Sequence, residues 1–413
     1  MPRTIISTRS ENTPPSPIRR LDPLARRAEK EGRTVYYLNI GQPDIRTPRE
    51  FYKGVRRYRE KTLPYSRSSG HEGLCQSWSS YLKRNNGLDI SADQFVIVCG
   101  ASEAIVFSFV ICCDPGDEVI IFDPTYANYH GFAGMTGVNL IPVVTSSENG
   151  FAIPAREEIE RTITRRTRAI MVCTPNNPTG SVCSAADLKM LLEVCEKHNL
   201  VLMVDETYRE FVYDGYEPLS IYHVAPANPR VIVFDSLSKR FSMCGARVGC
   251  LITYNQKILA SARTLASARL SAPTLDQAGA AFMLDRISPR YLQKAVLEYQ
   301  KRRNILIEEL GVSDHFLIHR SPGAFYTLVK IPVSDAEDFV KYMLTEFSYK
   351  NQTVFVAPGN GFYTNRALGD NKIRIAYVLN CKAMKKAAEV LRIGLEEYLG
   401  QKGGEDIPKS EKQ

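Results

Sequence analysis

The chain has 413 residues, 44% hydrophobic and 24% charged, with 53 Lys and Arg against 45 Asp and Glu for a net charge of +8. That composition excludes a disordered or fibrous chain and gives ample core for one large and one small domain. The basic residues are interleaved with acids and form no basic block with aromatics, which argues against nucleic-acid binding and leaves a general preference for small anions. Residues 1–16, rich in Ser, Pro and Arg, read as a mobile arm, and 17–50 as a segment joining a small domain. From about residue 92, short apolar strands alternate with helix-period segments. "QFVIVCG" is a strand and "ASEAIVFSFVICC" a helix; "DEVIIFDP" is a strand, "YANYHGFAGMTG" a helix, "VNLIPVVT" a strand. "AREEIERTIT" is helical, "RAIMVCTP" a strand and "AADLKMLLEVCEKHN" a helix, followed by strand-like "LVLMVDETY", "RVIVFDSLSK" and "VGCLITY".

Near-continuous Val/Ile runs between helices imply a mainly parallel sheet covered on both faces, an α/β large domain over 51–285. After about residue 285 the pattern changes to a long helix ("YLQKAVLEYQKRRNILIEEL"), "AFYTLVKI", a helix "AEDFVKYMLTEF", a strand "KIRIAYVL" and a helix "AMKKAAEVLRIGLEEYL". This reads as a smaller α+β domain over 286–400, with 401–413 a mobile tail. "FVIVCGASEAIVFSFVICC" is interrupted by Gly100, Ser102, Glu103 and Ser108, so no membrane span is expected. No signal peptide is expected either. The ten cysteines have no metal-like spacing and read as reduced thiols of a cytoplasmic protein, so no metal site is expected.

In open α/β sheets, ligands bind beyond the carboxyl ends of the strands. Those ends carry "GASE" (100–103), "DPTY" (123–126), "TPNNPTG" (174–180), "DETY" (205–208) and "SLSK" (236–239). Asp205 closes an apolar run, either as a cap for "ETYREF" or as a buried charge seeking a cation. Tyr208 falls on nearly the same face if that turn is helical; its bland role is core packing. Asn177 either serves turn geometry in "NNPTG" or binds a ligand. Tyr126 is a packing or stacking aromatic. Arg374 lies in an apolar strand, where it is costly without an anion.

An amine, a carboxylate, hydroxyls and guanidiniums at one sheet edge suit pyridoxal 5′-phosphate. Lys239 condenses with its aldehyde and Asp205 pairs with the pyridinium nitrogen. Tyr208 and Asn177 hydrogen-bond the ring oxygen, and Tyr126 stacks on the ring. Ser236, Ser238 and Arg247 meet the phosphate, with backbone N–H groups at 101–103 where a helix begins. Lysine and phosphate grip lie close in sequence because one small cofactor bridges them.

Taken in order, "NIGQPD", "YSRSSGHEGL", "GASEAI", "DPTY", "PNNPTG", "VDETY", "SLSKRFSMCGARVG" and "KIRIAY" resemble the fold-type I aminotransferases of classes I and II, the aspartate aminotransferase family, from about residue 17 to 400. The resemblance implies a three-layer large domain, a smaller α+β domain and a homodimer with active sites at the subunit interface. It implies that Lys239 is the Schiff-base lysine, with Asp205, Tyr208, Asn177 and Tyr126 around the ring. Ser236, Ser238, Arg247, Ala101 and Ser102 then hold the phosphate, and Tyr65 reaches the phosphate of the neighbouring subunit. Arg374, helped by Gly41 and Asn177, clamps the substrate α-carboxylate.

The implied reaction is ping-pong transfer of an amino group between an L-amino acid, aspartate or glutamate by analogy, and a 2-oxo acid such as 2-oxoglutarate or oxaloacetate. Some bacterial relatives read the β-carboxylate with a lysine where this chain has Ser102. Arg269, in "SARLSAPT", lies in the region that in this family approaches the partner's site, which makes it a replacement reader there or else a surface or packing arginine. Donors such as alanine or aromatic amino acids, and C–S lyase or synthase chemistry with the same cofactor, remain alternatives. A serine acyl-transfer enzyme would use "SLSK" as S-x-x-K, but S-D-N and K-T-G do not occur. A nucleotide binder lacks both G-x-G-x-x-G after a strand and a Walker A sequence. A regulator on this fold would carry a fused DNA-binding domain, for which about 17 loose N-terminal residues leave no room.

Overall fold

The computed structural model describes residues 5–14 and 16–402. The arm and tail expected to be mobile, 1–16 and 401–413, lie partly outside the described residues. Within them Thr8–Asn12 is a short helix against Asn128–Thr136, and the last helix, Cys381–Lys402, runs to Lys402.

Among the described residues the large sheet has seven strands: β1 (Phe95–Val98), β2 (Glu118–Asp123), β3 (Asn139–Val144), β4 (Thr167–Cys173), β5 (Val201–Asp205), β6 (Val231–Ser236) and β7 (Gly249–Thr253). Their spatial order is β1-β7-β6-β5-β4-β2-β3. Neighbours from β6 through to β3 are parallel, while β7 is antiparallel to both β1 and β6. Six strands therefore share one direction, and their carboxyl ends form one edge. The loop that enters β7 reaches that same edge because β7 runs the other way.

β1, β2, β6 and β7 are buried at every position, as a sheet covered on both faces requires. Strand alternation sorts the two faces. Val96, Ile121, Met171, Met203, Ile232 and Leu251 pack with helices Ala101–Cys112, Asn128–Thr136 and Gln256–Arg269. Ile97, Ile120, Val172, Val204, Val233 and Cys250 pack with helices Glu72–Asn86, Ala185–Lys197 and Thr274–Leu284. β3 is an edge strand and tolerates Pro142, whose missing N–H would break a central ladder. The helices at Glu72–Asn86, Gln256–Arg269 and Thr274–Leu284 carry no expectation from the sequence. Arg, Lys, Ser and Gly dilute their apolar stripes.

A second core surrounds the antiparallel strands Leu317–Ile318, Tyr326–Lys330, Lys372–Ala376 and Ala357–Pro358, packed by helices Pro289–Leu310, Ala336–Thr345 and Cys381–Lys402. The N-terminal segment joins this unit. Thr34–Tyr37 pairs parallel with Gln352–Phe355, and helix Asp22–Lys30 packs on Ala336–Thr345. No helix of the described residues is long and apolar enough to cross a membrane.

Beneath the carboxyl ends of β5 and β6 lies a buried ionic network. Arg209 pairs with Glu206 (2.8 Å), Glu210 (2.9 Å) and Asp235 (3.3 Å); Arg240 pairs with Glu210 and Asp235, both at 2.7 Å. The Trp78 indole donates to Asp235 at 3.2 Å. Burial alone pushes the Asp235 carboxyl up, but Arg240 and Arg209 outweigh it and hold it below its ordinary value. Removing one cation strands buried carboxylates without compensation. Arg240→Met is expected to cost about 3–5 kcal/mol in urea unfolding. A loss below about 1 kcal/mol, the range of exposed pairs, would show that the network carries no such weight.

Candidate active site

The strand ends converge on a cavity of about 440 Å³. Its walls include Ala101, Ser102, Tyr126, Asn177, Asp205, Tyr208, Ser236, Ser238, Lys239 and Arg247. A neighbouring compartment of about 260 Å³ shares Gly41, Tyr126, Asn177, Tyr208 and Lys239 and adds Tyr326 and Arg374. The structure thus brings together all the residues that the sequence pointed to except Tyr65 and Arg269.

Lys239 sits in the single helical turn Leu237–Arg240 that follows β6. The Ser236 hydroxyl caps that turn by accepting from Ser238 N–H at 3.1 Å, and it donates to the Ser238 hydroxyl at 2.9 Å. The Lys239 amine donates to Gly41 O at 2.8 Å and lies 3.7 Å from Cys244 Sγ. Gly41 must be glycine here, since a Cβ would fall 1.7 Å from the Tyr326 hydroxyl.

Asp205 ends β5 in the cavity wall. One oxygen accepts from the Tyr129 hydroxyl at 2.7 Å and the other from Thr207 N–H at 3.1 Å. Both sequence roles are therefore partly right. Asp205 does cap a turn, and it is a buried carboxylate with no cation within ion-pair distance among the described residues. Burial pushes its carboxyl above the ordinary value, against the lowering effect of the Thr207 and Tyr129 hydrogen bonds. A cationic ring nitrogen would meet that demand.

Arg247 enters β7 in a left-handed conformation, φ 53°. Its guanidinium donates to Cys99 O at 3.0 Å and to Cys244 O at 3.1 Å, beside the first turn of helix Ala101–Cys112. Gly100 makes room there. Its φ is +77°, and a Cβ would lie 2.5 Å from Arg247 Nη2. Guanidinium, two hydroxyls and a helix N-terminus at one end of the cavity form a cradle for a phosphate.

Arg374 is 1% exposed and no carboxylate lies within ion-pair distance among the described residues. Nη1 donates to Asn177 Oδ1 at 3.1 Å and Nη2 donates to Asn39 O, while Nε has no partner. Its guanidinium lies over the Tyr326 ring (4.6 Å) and the Phe362 ring (4.8 Å). Burial lowers its pKa. A buried guanidinium held by neutral acceptors and π faces, with a nitrogen to spare, suits an incoming carboxylate.

Tyr65 does not line the cavity of its own chain; it is 76% exposed. Arg269 lies away from both compartments. Its Nε is 3.2 Å from Glu103 and its Nη2 donates to Ile97 O at 3.0 Å. Within one chain this is the packing arginine that was its bland role. Sequence reasoning missed Tyr129, which holds Asp205, and Tyr326, whose hydroxyl pairs with that of Tyr208 at 2.9 Å. It also missed Asn39. Tyr129 follows Tyr126 by three residues on the helix beyond β2, a spacing that could have raised it.

The cavity offers an amine for a carbonyl, an anion for a ring cation, a cradle for a phosphate and a separate guanidinium for a carboxylate, so the residues present fit pyridoxal phosphate and an amino acid. Residues 33–391 match the family model for aminotransferase class I and II. The chain is 28% identical to aromatic-amino-acid aminotransferase 2 of Thermococcus litoralis, covering 95% of this chain and 98% of that one. It is 30% identical to the arginine–pyruvate transaminase AruH of Pseudomonas aeruginosa, covering 90% and 93%. Among solved structures, the aspartate aminotransferase from Thermus thermophilus with maleate superposes with a TM-score of 0.86 at 26% identity, over 95% of this chain and all of that one. With fold, cavity and sequence in agreement, the chain belongs to the class I and II aminotransferases and is an enzyme of the pyridoxal-phosphate-dependent kind.

Proposed function

We propose that this aminotransferase moves the amino group of L-aspartate or L-glutamate to a 2-oxo acid, 2-oxoglutarate or oxaloacetate, through the residues of this cavity. When bound, pyridoxal phosphate supplies a carbonyl that condenses with amines and a ring that withdraws electrons from the carbon next to that nitrogen. Lys239 would hold that carbonyl at rest and, once freed, would take the proton from the substrate Cα as general base and deliver it, as acid, to the former carbonyl carbon. Asp205, braced by Tyr129, keeps the ring nitrogen protonated. Tyr208 and Asn177 donate toward the ring oxygen, and Tyr126 packs on the ring. Ser236, Ser238, Arg247 and the N–H groups of Ala101 and Ser102 hold the phosphate. Arg374, oriented by Asn177 and Asn39, binds the α-carboxylate, with Gly41 leaving space beside it. Arg269 would have to release Glu103 to take part, and it has no role in this reading.

The observation that carries the proposal is the joint presence of Lys239, Asp205 and Arg374 around two adjoining compartments, none with an oppositely charged partner among the described residues. The working unit is proposed to be a homodimer in the cytoplasm. Tyr65, exposed on its own chain, would reach the phosphate of a second copy. Ten free cysteines fit a reducing compartment.

A half-reaction screen tests the substrate. Aspartate and glutamate should each convert the near-visible band of the bound cofactor to that of its amine form. Conversion by aromatic amino acids or alanine alone would rename the donor, and pyruvate and ammonia without that conversion would point to elimination. Borohydride reduction followed by peptide mass spectrometry should place the cofactor adduct on Lys239. Lys239→Ala should lose it and slow proton transfer by about 10²- to 10⁴-fold. An adduct on another lysine would overturn the assignment. Arg374→Ala should lower kcat/KM for amino acids by about 100- to 1,000-fold, as loss of a buried charge-assisted pair does, while the resting cofactor spectrum stays in place.

A further inference from the structure

We infer that Arg19 reads the side-chain carboxylate of a dicarboxylic substrate; this rests on the aminotransferase reading above and names the residue that would give it its acidic donor. Arg19 lines both the 440 Å³ cavity and the 260 Å³ compartment. The smaller compartment is faced by three cations, Arg19, Lys239 and Arg374, and by no carboxylate. Lys239 is committed to the amine and Arg374 to the α-carboxylate, which leaves Arg19 as the cation without a task. The remaining walls, among them Ile18, Ile40, Tyr126 and Asn128, carry no charge.

The neighbouring arginine sharpens the case. Arg20 is neutralised by an ion pair with Glu337. Arg19 has no carboxylate within ion-pair distance among the described residues, although Asp22 and Glu29 lie near it in sequence. Asn39 ties Arg19 to the α-carboxylate site. Its side-chain amide donates to Ile18 O at 3.0 Å, and its carbonyl accepts from Arg374. Pro17 packs against Gly361, where a Cβ would lie 2.2 Å from the Pro17 Cβ. The backbone that carries Arg19 is therefore fixed relative to Arg374 through one buried residue.

Arg19 is exposed at the mouth, so it is not costly to leave unpaired. Its planar fork gains two hydrogen bonds only when a carboxylate arrives. Selectivity on this account comes from a gain with acidic side chains rather than from a penalty on neutral ones, so a neutral donor is tolerated and an acidic one preferred. Arg269, engaged by Glu103, and Ser102, which is uncharged, do not compete for the role.

Arg19→Met and Arg19→Lys test this in the cofactor-loaded enzyme. For Arg19→Met, the ratio of kcat/KM for aspartate over alanine should fall about 10- to 100-fold, chiefly through KM for aspartate, the size of a charge-assisted hydrogen bond. Arg19→Lys should recover a large part of that ratio. Calorimetry with maleate, a dicarboxylate that cannot react, should show weaker binding to Arg19→Met by a similar factor, with acetate binding moved far less. An unchanged ratio, an equal fall for both donors, or unaltered maleate binding would each overturn the role. A wild type that converts alanine but prefers no acidic donor would also overturn it while leaving the aminotransferase reading intact. A wild type that converts no amino acid would remove that reading first, and this inference with it.

Discussion

The site depends on a set of charges that never touch it. Glu206, Arg209, Glu210, Asp235 and Arg240 are buried under the ends of β5 and β6, three carboxylates against two guanidiniums. Each end of the network is one residue from the chemistry: Glu206 follows Asp205, Asp235 precedes Ser236, and Arg240 follows Lys239. Adjacent residues of a strand point to opposite sides, and adjacent residues of a helical turn diverge by about 100°. One residue of each pair can therefore face the cavity only while its neighbour faces the network. Buried ion pairs add little net stability, because desolvation offsets the attraction, but they tolerate few alternative geometries. Their contribution here is to fix where Asp205 and Lys239 stand relative to one another.

The cavity itself is biased by charge. Arg19, Lys239, Arg247 and Arg374 line its two compartments, against the single carboxylate of Asp205. A basic chamber attracts anions, and phosphate and carboxylates are the anions that the local donors can pair. The cations are distributed by element. Arg247 arrives on the loop entering β7 and lies at the helix N-terminus; Arg374 comes from the small unit and Arg19 from the N-terminal segment. The lone acid, by contrast, is on a central strand of the large sheet, where burial raises its pKa and leaves it in need of a positive partner.

Much of this was legible in the sequence. Val/Ile runs ending in polar turns gave the strands, and the rule that ligands sit past those ends gathered the site residues from five separated stretches. Arg374 was legible because a lone arginine in an apolar strand demands an explanation. The direction of β7 was not, since "VGCLITY" reads the same either way; it follows from pairing with β1 and β6. Tyr129, Tyr326 and Asn39 were missed for a related reason. Each touches its partner across 76 to 335 positions of chain, contacts that only the packed sheets and segments create. The pairing of Arg269 with Glu103 was not legible either, because the two stand on different helices.

The division of labour within the cavity has a consequence for specificity. Apart from Tyr65 of a second copy, the groups proposed for the cofactor, from Ala101 to Arg247, stand on the large sheet's edge, braced by its helices and by the buried network. The groups proposed for the substrate come mainly from elsewhere: Arg374, over the Tyr326 ring, from the small unit, and Gly41, Asn39 and Arg19 from the N-terminal segment. Asn177 and Lys239 belong to both in the proposed roles; Asn177 accepts from Arg374 and would donate toward the ring. Changing what the side chain meets therefore requires no change to what the ring meets. A loop residue at the mouth can be altered without leaving a buried group unsatisfied, whereas Asp205 or Arg240 cannot. On physical grounds the amino donor should be the most variable property of such an enzyme, and the proton transfer at Lys239 the least.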